Sequence, residues 1–570
     1  MKAFTKQLTF KIIYLGFIIS LFSIAIQAQE ANLEWAQSIG GTSDDYSSSI
    51  TVDATGNVYI TGYYNGTVDF DPGIASFNLT SNGGSDFFIQ KLDASGGFIW
   101  ARSIGGTSYE SGYTITTDAN GNIYASGEYR DTVDFDPGAG TFNLISNGEN
   151  DIYILKLDGN GDFIWAKSTG GTANDHVKSI TTDFSGNIIM TGDFAGTADF
   201  DPGLATFNLT SNGELDVYVQ KLDASGNFIW AKSMGGPYLD FGNAIVADAS
   251  GDLYVTGYYS LTVDFDPNTT TFNLTSNGEA DIFVQKIDTD GDFVWAKSMG
   301  GSHWDSGNAI TTDASGNLYV TGSYINIVDF DPGPSIFNLT SNGEADVFIQ
   351  KLDANGVFIW AKSLGGQIWD YGHAITCDTD ENVYIAGNFS SPDFDPGAAN
   401  LNLISNGSYD VFIQMLDANG GFIWAKSVGG QQSDFVSSID TNPSGNVYVT
   451  GTFKFTVDFD PGAATNNLTS NGNDDCFILK LSQSFVGVED YIPFNRVSIL
   501  PNPTQGLVNI QLGNLKDVSV NVYSVSGQLI YEKENINASS HQFELNEAPG
   551  IYLVEVGSQG EKRISKLVRN

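Results

Sequence analysis

A tryptophan recurs at nearly constant spacing along this chain of 570 residues, and each recurrence opens a unit of similar sequence. The intervals are 65 residues five times and 64 once. A typical unit reads WAKSMGG, D-x-G-x-AI, TTDASGNLYVTG, VDFDPG, FNLTSNG and D-x-F-x-QKLDA-x-G-x-FIW. Because seven complete units follow one another, residues fixed in all units can be separated from those that vary. The recurring residues are Trp35, Trp100, Trp165, Trp230, Trp295, Trp360 and Trp424, which we expect in the core.

Each unit contains four runs of apolar, aromatic and β-branched residues between Gly, Asn and Asp turns. This pattern predicts four strands joined by tight turns. In the first unit they are Ser48–Asp53, Asn57–Tyr63, Asp86–Asp93 and Gly97–Ser103. Seven such units predict an all-β fold with a seven-bladed β-propeller, in which radial repetition protects the sheet edges. A β-helix is the alternative, although its coils are much shorter than 65 residues.

Two further features refine the predicted propeller. The insert Tyr64 to Ser85 separates the second and third strands, and its VDF and FNLTS pieces predict an extra hairpin on the rim. The repeats begin with a fourth-type strand, Asn32–Ser38, and end with a third-type strand, Cys476–Ser482. We therefore expect these two strands to pair and close the ring.

The repeated motifs resemble those of the bacterial seven-bladed β-propeller repeat family. The matching elements are GG-x-x-x-D, the GNVYITG type and the D-x-F-I-x-KLD type. The resemblance covers about 450 residues of the chain. It implies the propeller fold and no single activity.

The repeat region ends at residue 486, and residues 487–496 form a predicted linker before Val497. Residues 497–570 show alternating strands with Pro and Gly turns, as in a small β-sandwich. They closely resemble the C-terminal sorting domain of the type IX secretion system. The resemblance implies that the secretion machinery is a partner, and that the domain is removed after passage through the outer membrane, followed by release or surface attachment. An ordinary β-sandwich appendage is the alternative. The matching residues are Pro501, Asn502, Pro503, Gly506, Val522, Tyr523, Gly527, Gly550, Tyr552, Lys566 and Arg569.

Residues 1–28 have the pattern of an export signal. Lys2, Lys6 and Lys11 precede an apolar stretch from Ile12 to Ile26, and Ala28 offers a small residue for cleavage. The expected mature chain therefore starts with the propeller at 29–486 and is secreted or displayed on the cell surface. An uncleaved membrane anchor is the alternative.

Charge and motif content limit the function. The formal net charge of −42 argues against nucleic acid as a partner, because a polyanion repels phosphates. Cys377 and Cys476 fall at different repeat positions, which indicates isolated thiols rather than a disulfide. The sequence has no G-x-S-x-G, H-E-x-x-H, phosphate loop or CxxC motif.

The DFDPG motif is the best candidate for metal binding. Two carboxylates two residues apart point to one side of an extended strand, and calcium takes six to eight oxygen ligands. The alternative is a turn, in which Asp caps its own backbone and Pro-Gly sets the bend. Calcium is therefore a possible cofactor only. The candidate ligands are Asp69, Asp71, Asp134, Asp136, Asp199, Asp201, Asp264, Asp266, Asp329, Asp331, Asp393, Asp395, Asp458 and Asp460.

A unique binding site should lie where the repeats disagree. Trp304 and Trp369 occupy the same position of the GG-x-x-x-D loop in adjacent units, and Tyr109 occupies it in an earlier unit. Three residues after the loop acid the residue also varies. Aromatic faces beside amides suit a glycan or a peptide of a surface protein; gap filling between blades is the alternative for the tryptophans. The varied series is Ser48, Tyr113, Lys178, Asn243, Asn308, His373 and Ser437, of which the middle five are ligand candidates.

Two functions remain open. The first is a non-enzymatic surface or secreted binding protein, such as an adhesin, supported by the regular repeat and the missing catalytic motifs. The second is a secreted polysaccharide-active hydrolase or lyase that uses acids near the channel mouth. The two differ in whether an acid outside the repeat consensus lies within reach of the varied ring.

Overall fold

The computed structural model describes residues 28–268, 270–390, 403–486, 498–512, 515–524, 527–558 and 561–569. The predicted signal segment before residue 28 and the predicted linker lie outside these ranges. The chain divides into two compact units, one ending at Phe485 and one starting at Val486. Within the described ranges there is no helix long and apolar enough to cross a membrane.

The first unit is a propeller of seven antiparallel four-stranded blades, as predicted. The first strands are Tyr46–Val52, Ser111–Thr117, Asp175–Thr182, Phe241–Ala247, Ser306–Thr312, Tyr371–Cys377 and Phe435–Thr441. The second strands are Val58–Tyr64, Ile123–Tyr129, Ile188–Phe194, Leu253–Tyr259, Leu318–Asp329, Val383–Phe389 and Val447–Asp458. The third strands are Asp86–Leu92, Asp151–Leu157, Asp216–Leu222, Asp281–Ile287, Asn338–Leu352, Asp410–Leu416 and Asn467–Val486. The fourth strands are Phe98–Ile104, Phe163–Gly171, Phe228–Met234, Phe293–Met299, Phe358–Leu364, Phe422–Val428 and, for blade 7, Ala28–Gly41.

The ring is closed by the start of the chain. Ala28–Gly41 pairs with Asn467–Val486 and becomes the outer strand of blade 7, which confirms the predicted closure. Each first strand contacts the first strands of both neighbouring blades, and those of blades 1 and 7 contact each other. The first strands therefore surround the central axis, and a residue at their start lies at a channel mouth.

Apolar residues pack between adjacent blades. One core cluster joins Phe87 and Trp100 of blade 1 to Ala125 and Tyr153 of blade 2. The indole Nε1 of Trp100 also donates to the carbonyl of Gly159 in the next blade at 3.4 Å. The repeat tryptophans are thus buried or half-buried residues that hold neighbouring blades together.

Each described insert forms a short hairpin at the rim of the propeller, as predicted. In blade 1 it pairs Thr67–Asp69 with Asn78–Thr80. Gly40 and Gly41 of the preceding blade pair with Asp69 and Val68, so this hairpin also joins its blade to the one before. In blades 5 and 7 the hairpin continues the second and third strands. The other separate hairpins are Thr132–Asp134 with Asn143–Ile145, Thr197–Asp199 with Asn208–Thr210, and Thr262–Asp264 with Asn273–Thr275.

The second unit contains two antiparallel sheets around its own apolar core, which includes Val508, Val520 and Val554. Asn502 fixes the start of this unit to its last strand, because its Nδ2 donates to the carbonyl of Lys566 and its Oδ1 accepts the N–H of Val568. The strands are Ser498–Leu500, Leu507–Gln511, Val518–Ser524, Leu529–Ile536, Ser540–Glu544, Gly550–Ser558 and Glu561–Arg569.

Candidate functional site

The DFDPG acids form a turn in every described rim hairpin. Asp69 Oδ1 accepts the backbone N–H of Asp71 at 3.1 Å and of Phe77 at 2.8 Å. Asp71 Oδ1 accepts the N–H of Gly73 at 2.8 Å. The first acid has the equivalent two backbone donors in blades 2, 3, 4, 5 and 7. Asp393 and Asp395 of blade 6 lie outside the described residues.

Calcium binding at these acids stays a prediction. One carboxylate oxygen of each first acid already accepts two N–H groups, and a cation would compete with those donors. Across the described part of the chain, no three His, Cys, Asp or Glu side chains are grouped so that they could hold a metal.

The acid of the GG-x-x-x-D loop is buried, and it holds together the backbone of the glycine pair and the start of the rim insert. Asp45 Oδ2 accepts the N–H of Gly41 at 2.6 Å, and its Oδ1 accepts the N–H of Asn65 at 3.1 Å. Burial outweighs these hydrogen bonds and raises the pKa of Asp45 to about 7. Burial likewise raises the pKa of four further loop acids to about 7, namely Glu110, Asp175, Asp240 and Asp305.

Each blade has a second buried carboxyl, that of the Asp in the D-x-F-type motif of its third strand. This carboxyl lies near the loop acid of the next blade. Burial raises the pKa of Asp151 to about 6, and the charge of Asp151 in turn raises the pKa of Asp175. Both carboxylates lie against Gly170, where a Cβ would come within 2.7 Å of Asp151 Cγ and 3.0 Å of Asp175 Oδ2. Each blade junction therefore combines two acids with a glycine that leaves them room.

The varied ring coincides with a β-bulge in all seven blades. The register of the first and second strands shifts at each varied position, so that residue is the extra one of the inner strand. Bulges re-aim side chains and are common beside active sites. The ring positions are Ser48, Tyr113, Lys178, Asn243, Asn308, His373 and Ser437, at the start of the innermost strands.

These ring residues have different contacts. Asn243 Nδ2 and Asn308 Nδ2 each donate to a backbone carbonyl of the following blade at 2.9 Å, so both amides join blades. The ammonium of Lys178 lies 5.9 Å from the ring centre of Tyr113. Burial lowers the pKa of His373 to about 4, so its imidazole is neutral at physiological pH.

Aromatic side chains, some exposed and some half-buried, lie in and near the loops that precede the ring. Trp304 is 40% exposed and its ring lies 4.9 Å from that of Tyr258 in the previous blade. Trp369 stacks at 6.0 Å on Tyr371, which stacks at 6.0 Å on His373. Tyr109 is 73% exposed. Trp304 thus packs against a neighbouring blade and also presents a face to solvent; ligand contact by these residues stays a prediction.

The structure adds two acids that the sequence analysis missed. His176 Nδ1 lies 2.7 Å from Glu128 Oε1, and Glu128 is 5% exposed. Asp193 is fully buried in the adjacent blade and interacts electrostatically with Lys178 and His176. Comparing units at the residue after the second-strand Gly would have found both, since the other five units carry no acid there. Acids outside the consensus therefore do lie beside the varied ring.

Both cysteines are free, as expected: Cys476 is buried and Cys377 is half-buried. Burial raises the pKa of both thiols, so neither has the character of a reactive nucleophile.

Two family models match parts of the chain, one in each unit. Residues 34–68 match the family model described as the beta-propeller repeat, and residues 498–570 match the secretion system C-terminal sorting domain. This is a β-propeller repeat protein with a type IX sorting domain. The sorting domain marks proteins exported by type IX secretion to the cell surface or the extracellular space, and it implies interaction with that machinery.

More distant similarities extend over the propeller. An uncharacterized WD repeat-containing protein of Acanthamoeba polyphaga mimivirus is 24% identical over 441 residues, which cover 63% of this chain and 31% of that protein. Regulatory protein FlaEY of Caulobacter vibrioides is 22% identical over 400 residues, covering 67% and 38%. The chain thus spans about a third of the length of these curated relatives.

Among solved structures, a structural genomics protein of unknown function from Bacteroides thetaiotaomicron is similar to this propeller protein. The sequence identity is 12%, and the match covers 76% of this chain and 98% of that one with a TM-score of 0.28.

Proposed function

We propose that the exported propeller is a non-enzymatic binding or adhesion protein whose ligand is a glycan or a surface protein. The observation that carries this proposal is a pair of aromatic contacts near the varied ring: Trp304, which is 40% exposed, lies on Tyr258, and the half-buried Trp369 lies on Tyr371. Exposed aromatic faces on a rigid frame lose little side-chain entropy on binding.

The test is attachment of the protein carrying Trp304→Ala and Trp369→Ala to the natural surface or to a glycan panel. Attachment should weaken roughly tenfold, since aromatic anchors dominate binding energy. The thermal midpoint should barely move. Phe184→Ala is the matched control, because Phe184 is 97% exposed but lies in the turn at the other end of the first strands. Unchanged attachment of the double variant would contradict the proposal.

A polysaccharide-active hydrolase or lyase is the second candidate, and the non-consensus acids favour it. Burial raises the pKa of Asp193 to about 6, a value suited to proton transfer near neutral pH. Glu128 holds His176 in place at 2.7 Å. Incubation with a polysaccharide panel, followed by detection of new reducing ends or unsaturated sugars, tests this candidate. Turnover that Asp193→Asn abolishes would establish it, and absence of turnover on polysaccharides that bind would remove it.

A further inference from the structure

The residue just before each rim hairpin has a left-handed backbone conformation. In the six described hairpins its φ lies between 58° and 72°. Glycine, Asp and Asn tolerate this conformation, whereas a large side chain is strained in it. The residues at this position in blades 1, 2, 3, 4, 5 and 7 are Gly66, Asp131, Gly196, Leu261, Asn326 and Phe455. Leu261 and Phe455 are therefore the two strained residues of the series.

Phe455 is strained and also exposed. Its φ is 58°, and it is 65% exposed. Its backbone N–H donates to Ser470 Oγ at 2.9 Å, which is the same contact that Gly66 makes with Ser81. The turn itself therefore does not need a phenyl ring. Strained residues that the local fold does not require are concentrated at ligand sites.

Phe455 lines a cavity of about 780 Å³ between the GG-x-x-x-D loop and the rim hairpin of blade 7. This volume lies within the range of small-ligand sites. No basic side chain is among the described residues that line the cavity, and Asp458 is its acid. Four lining side chains are amides, namely Asn406, Gln431, Gln432 and Asn467. The cavity thus combines an aromatic face with several amides.

Three of these amides depart from the other blades. Gln431 and Gln432 are exposed and take the places of a Thr and a Ser in blades 1 and 2. Asn406 is a repeat residue that lacks its usual contact. In five other blades the equivalent Asn Nδ2 donates to the carbonyl of the first loop glycine, as Asn82 does to Gly105 at 3.4 Å. Asn406 is exposed, and its Nδ2 donates to no described residue, so this amide can bond a ligand.

We propose that this cavity binds a neutral glycan. Amide groups offer both a donor and an acceptor, as sugar hydroxyls require, and the Phe455 ring stacks on the apolar face of a sugar. The carboxylate of Asp458, the lack of a basic lining residue and the net charge of −42 disfavour an anionic sugar. This inference rests on the proposed binding function, and it assigns a ligand class to a second site, at the rim.

The experiment is calorimetric titration of the protein with all residues after the predicted signal. The neutral probes are hexasaccharides of glucose, mannose, galactose and N-acetylglucosamine, and hexagalacturonate is the acidic probe. We expect a neutral probe to bind and the acidic probe to bind least. Phe455→Gly should weaken that binding roughly tenfold, as loss of an aromatic anchor does. The thermal midpoint should barely move, because glycine suits the left-handed turn.

Leu261→Gly is the matched control. It makes the same change at the same turn position of blade 4, where φ is 59°, and it should leave glycan binding unchanged. Gln432→Ser restores the residue of blades 1 and 2 and should weaken binding less than Phe455→Gly does, because it removes one hydrogen-bonding group and keeps the aromatic face.

This inference is wrong if no neutral probe binds, if the acidic probe binds best, or if Phe455→Gly binds as tightly as the unchanged protein. The proposed function is then still supported if the variant of Trp304 and Trp369 attaches more weakly. If instead Phe455→Gly loses glycan binding while the tryptophan variant attaches normally, the rim site is correct and the proposed role of the two tryptophans fails.

Discussion

The two units of the molecule are both antiparallel β structures, but they handle acidic side chains in opposite ways. Only seven of the 67 acidic residues lie at or beyond Val497, together with six of the 25 basic ones. In the propeller, burial raises the pKa of Asp151 to about 6 and that of Asp45 to about 7. In the second unit, a hydrogen bond from Lys562 lowers the pKa of Glu555.

This difference shows that the acid surplus is partly interior architecture. Many propeller acids are not exposed to solvent. They lie at blade junctions, where they accept backbone N–H groups and lie beside another carboxyl. The second unit instead balances its few acids with bases, and its role is export. The comparison therefore separates the propeller from the sorting domain, and each can be perturbed alone.

The largest expected effect is loss of export on removal of residues 497–570. The propeller has its own core and closes without these residues, so it should fold and remain in the periplasm. Fractionation with immunodetection, and tryptophan fluorescence of the retained protein, provide the measurement. Asn502→Ala, which frees the last strand, should reduce export to a smaller degree. A truncated protein found outside the cell would contradict the sorting function.

The next effect concerns pH. The buried junction carboxyls have folded pKa values of about 6 to 7 against 3.8 as the ordinary value, so the folded state binds more protons. Their contribution to stability is complete below about pH 4 and is lost as pH rises through 6 to 7. Propeller stability should therefore fall between pH 5 and pH 8, on the order of 5 kcal/mol.

Tryptophan fluorescence during denaturation measures this change selectively, because all nine tryptophans lie before Val497. The second unit should not show the same trend. The lowered pKa of Glu555 means that its pairing stabilises the fold above the unfolded pKa and is lost only as pH falls through the folded value. Equal propeller stability at pH 5 and pH 8 would show that the junction acids are already charged without penalty.

A smaller effect distinguishes two junctions. Asp86 Oδ2 accepts the hydroxyl of Ser103 at 3.1 Å, whereas Asp151 Oδ1 is buried with no described donor. Asp151→Asn should therefore stabilise the propeller at pH 8 by about 1–2 kcal/mol and have little effect at pH 5. Asp86→Asn is the matched control with a weaker gain. Destabilisation by Asp151→Asn at pH 8 would mean that its negative charge is required.

The smallest expected effect concerns calcium. Since Asp69 Oδ1 and its equivalents already accept two backbone N–H groups, calcium should shift the thermal midpoint no more than magnesium at matched ionic strength. Melting curves in chelator, calcium and magnesium provide the comparison. A midpoint that rises with calcium alone would establish calcium sites on the propeller, because a ligand of the folded state stabilises it by mass action.

The frame was predictable from the sequence because the repeats act as their own alignment. The Trp35 to Trp424 series fixed the number of blades, and the strand type at each end predicted closure. The site was less predictable because aromatic and amide residues at varied positions serve two purposes. Asn243 and Asn308 vary, yet they join blades through backbone carbonyls. Asp193 was missed because acids are abundant. Comparison of the units would have identified it as an acid outside the consensus, but its burial without donors is seen only in the structure.

The strand Ala28–Gly41, which closes the ring, also determines when the propeller can complete its folding. Glu34 and Lys480 meet at 3.0 Å across blade 7, although 446 residues separate them. The first strand of the chain therefore stays unpaired until almost the entire propeller has been synthesised. A chain truncated before Asn467 leaves two unpaired sheet edges, one on each side of the gap in the ring. Unpaired edges can form hydrogen bonds with other chains and cause aggregation. Because the sorting domain follows Asn467–Val486 in the sequence, only chains that contain all the strands needed to close the ring also contain the sorting domain.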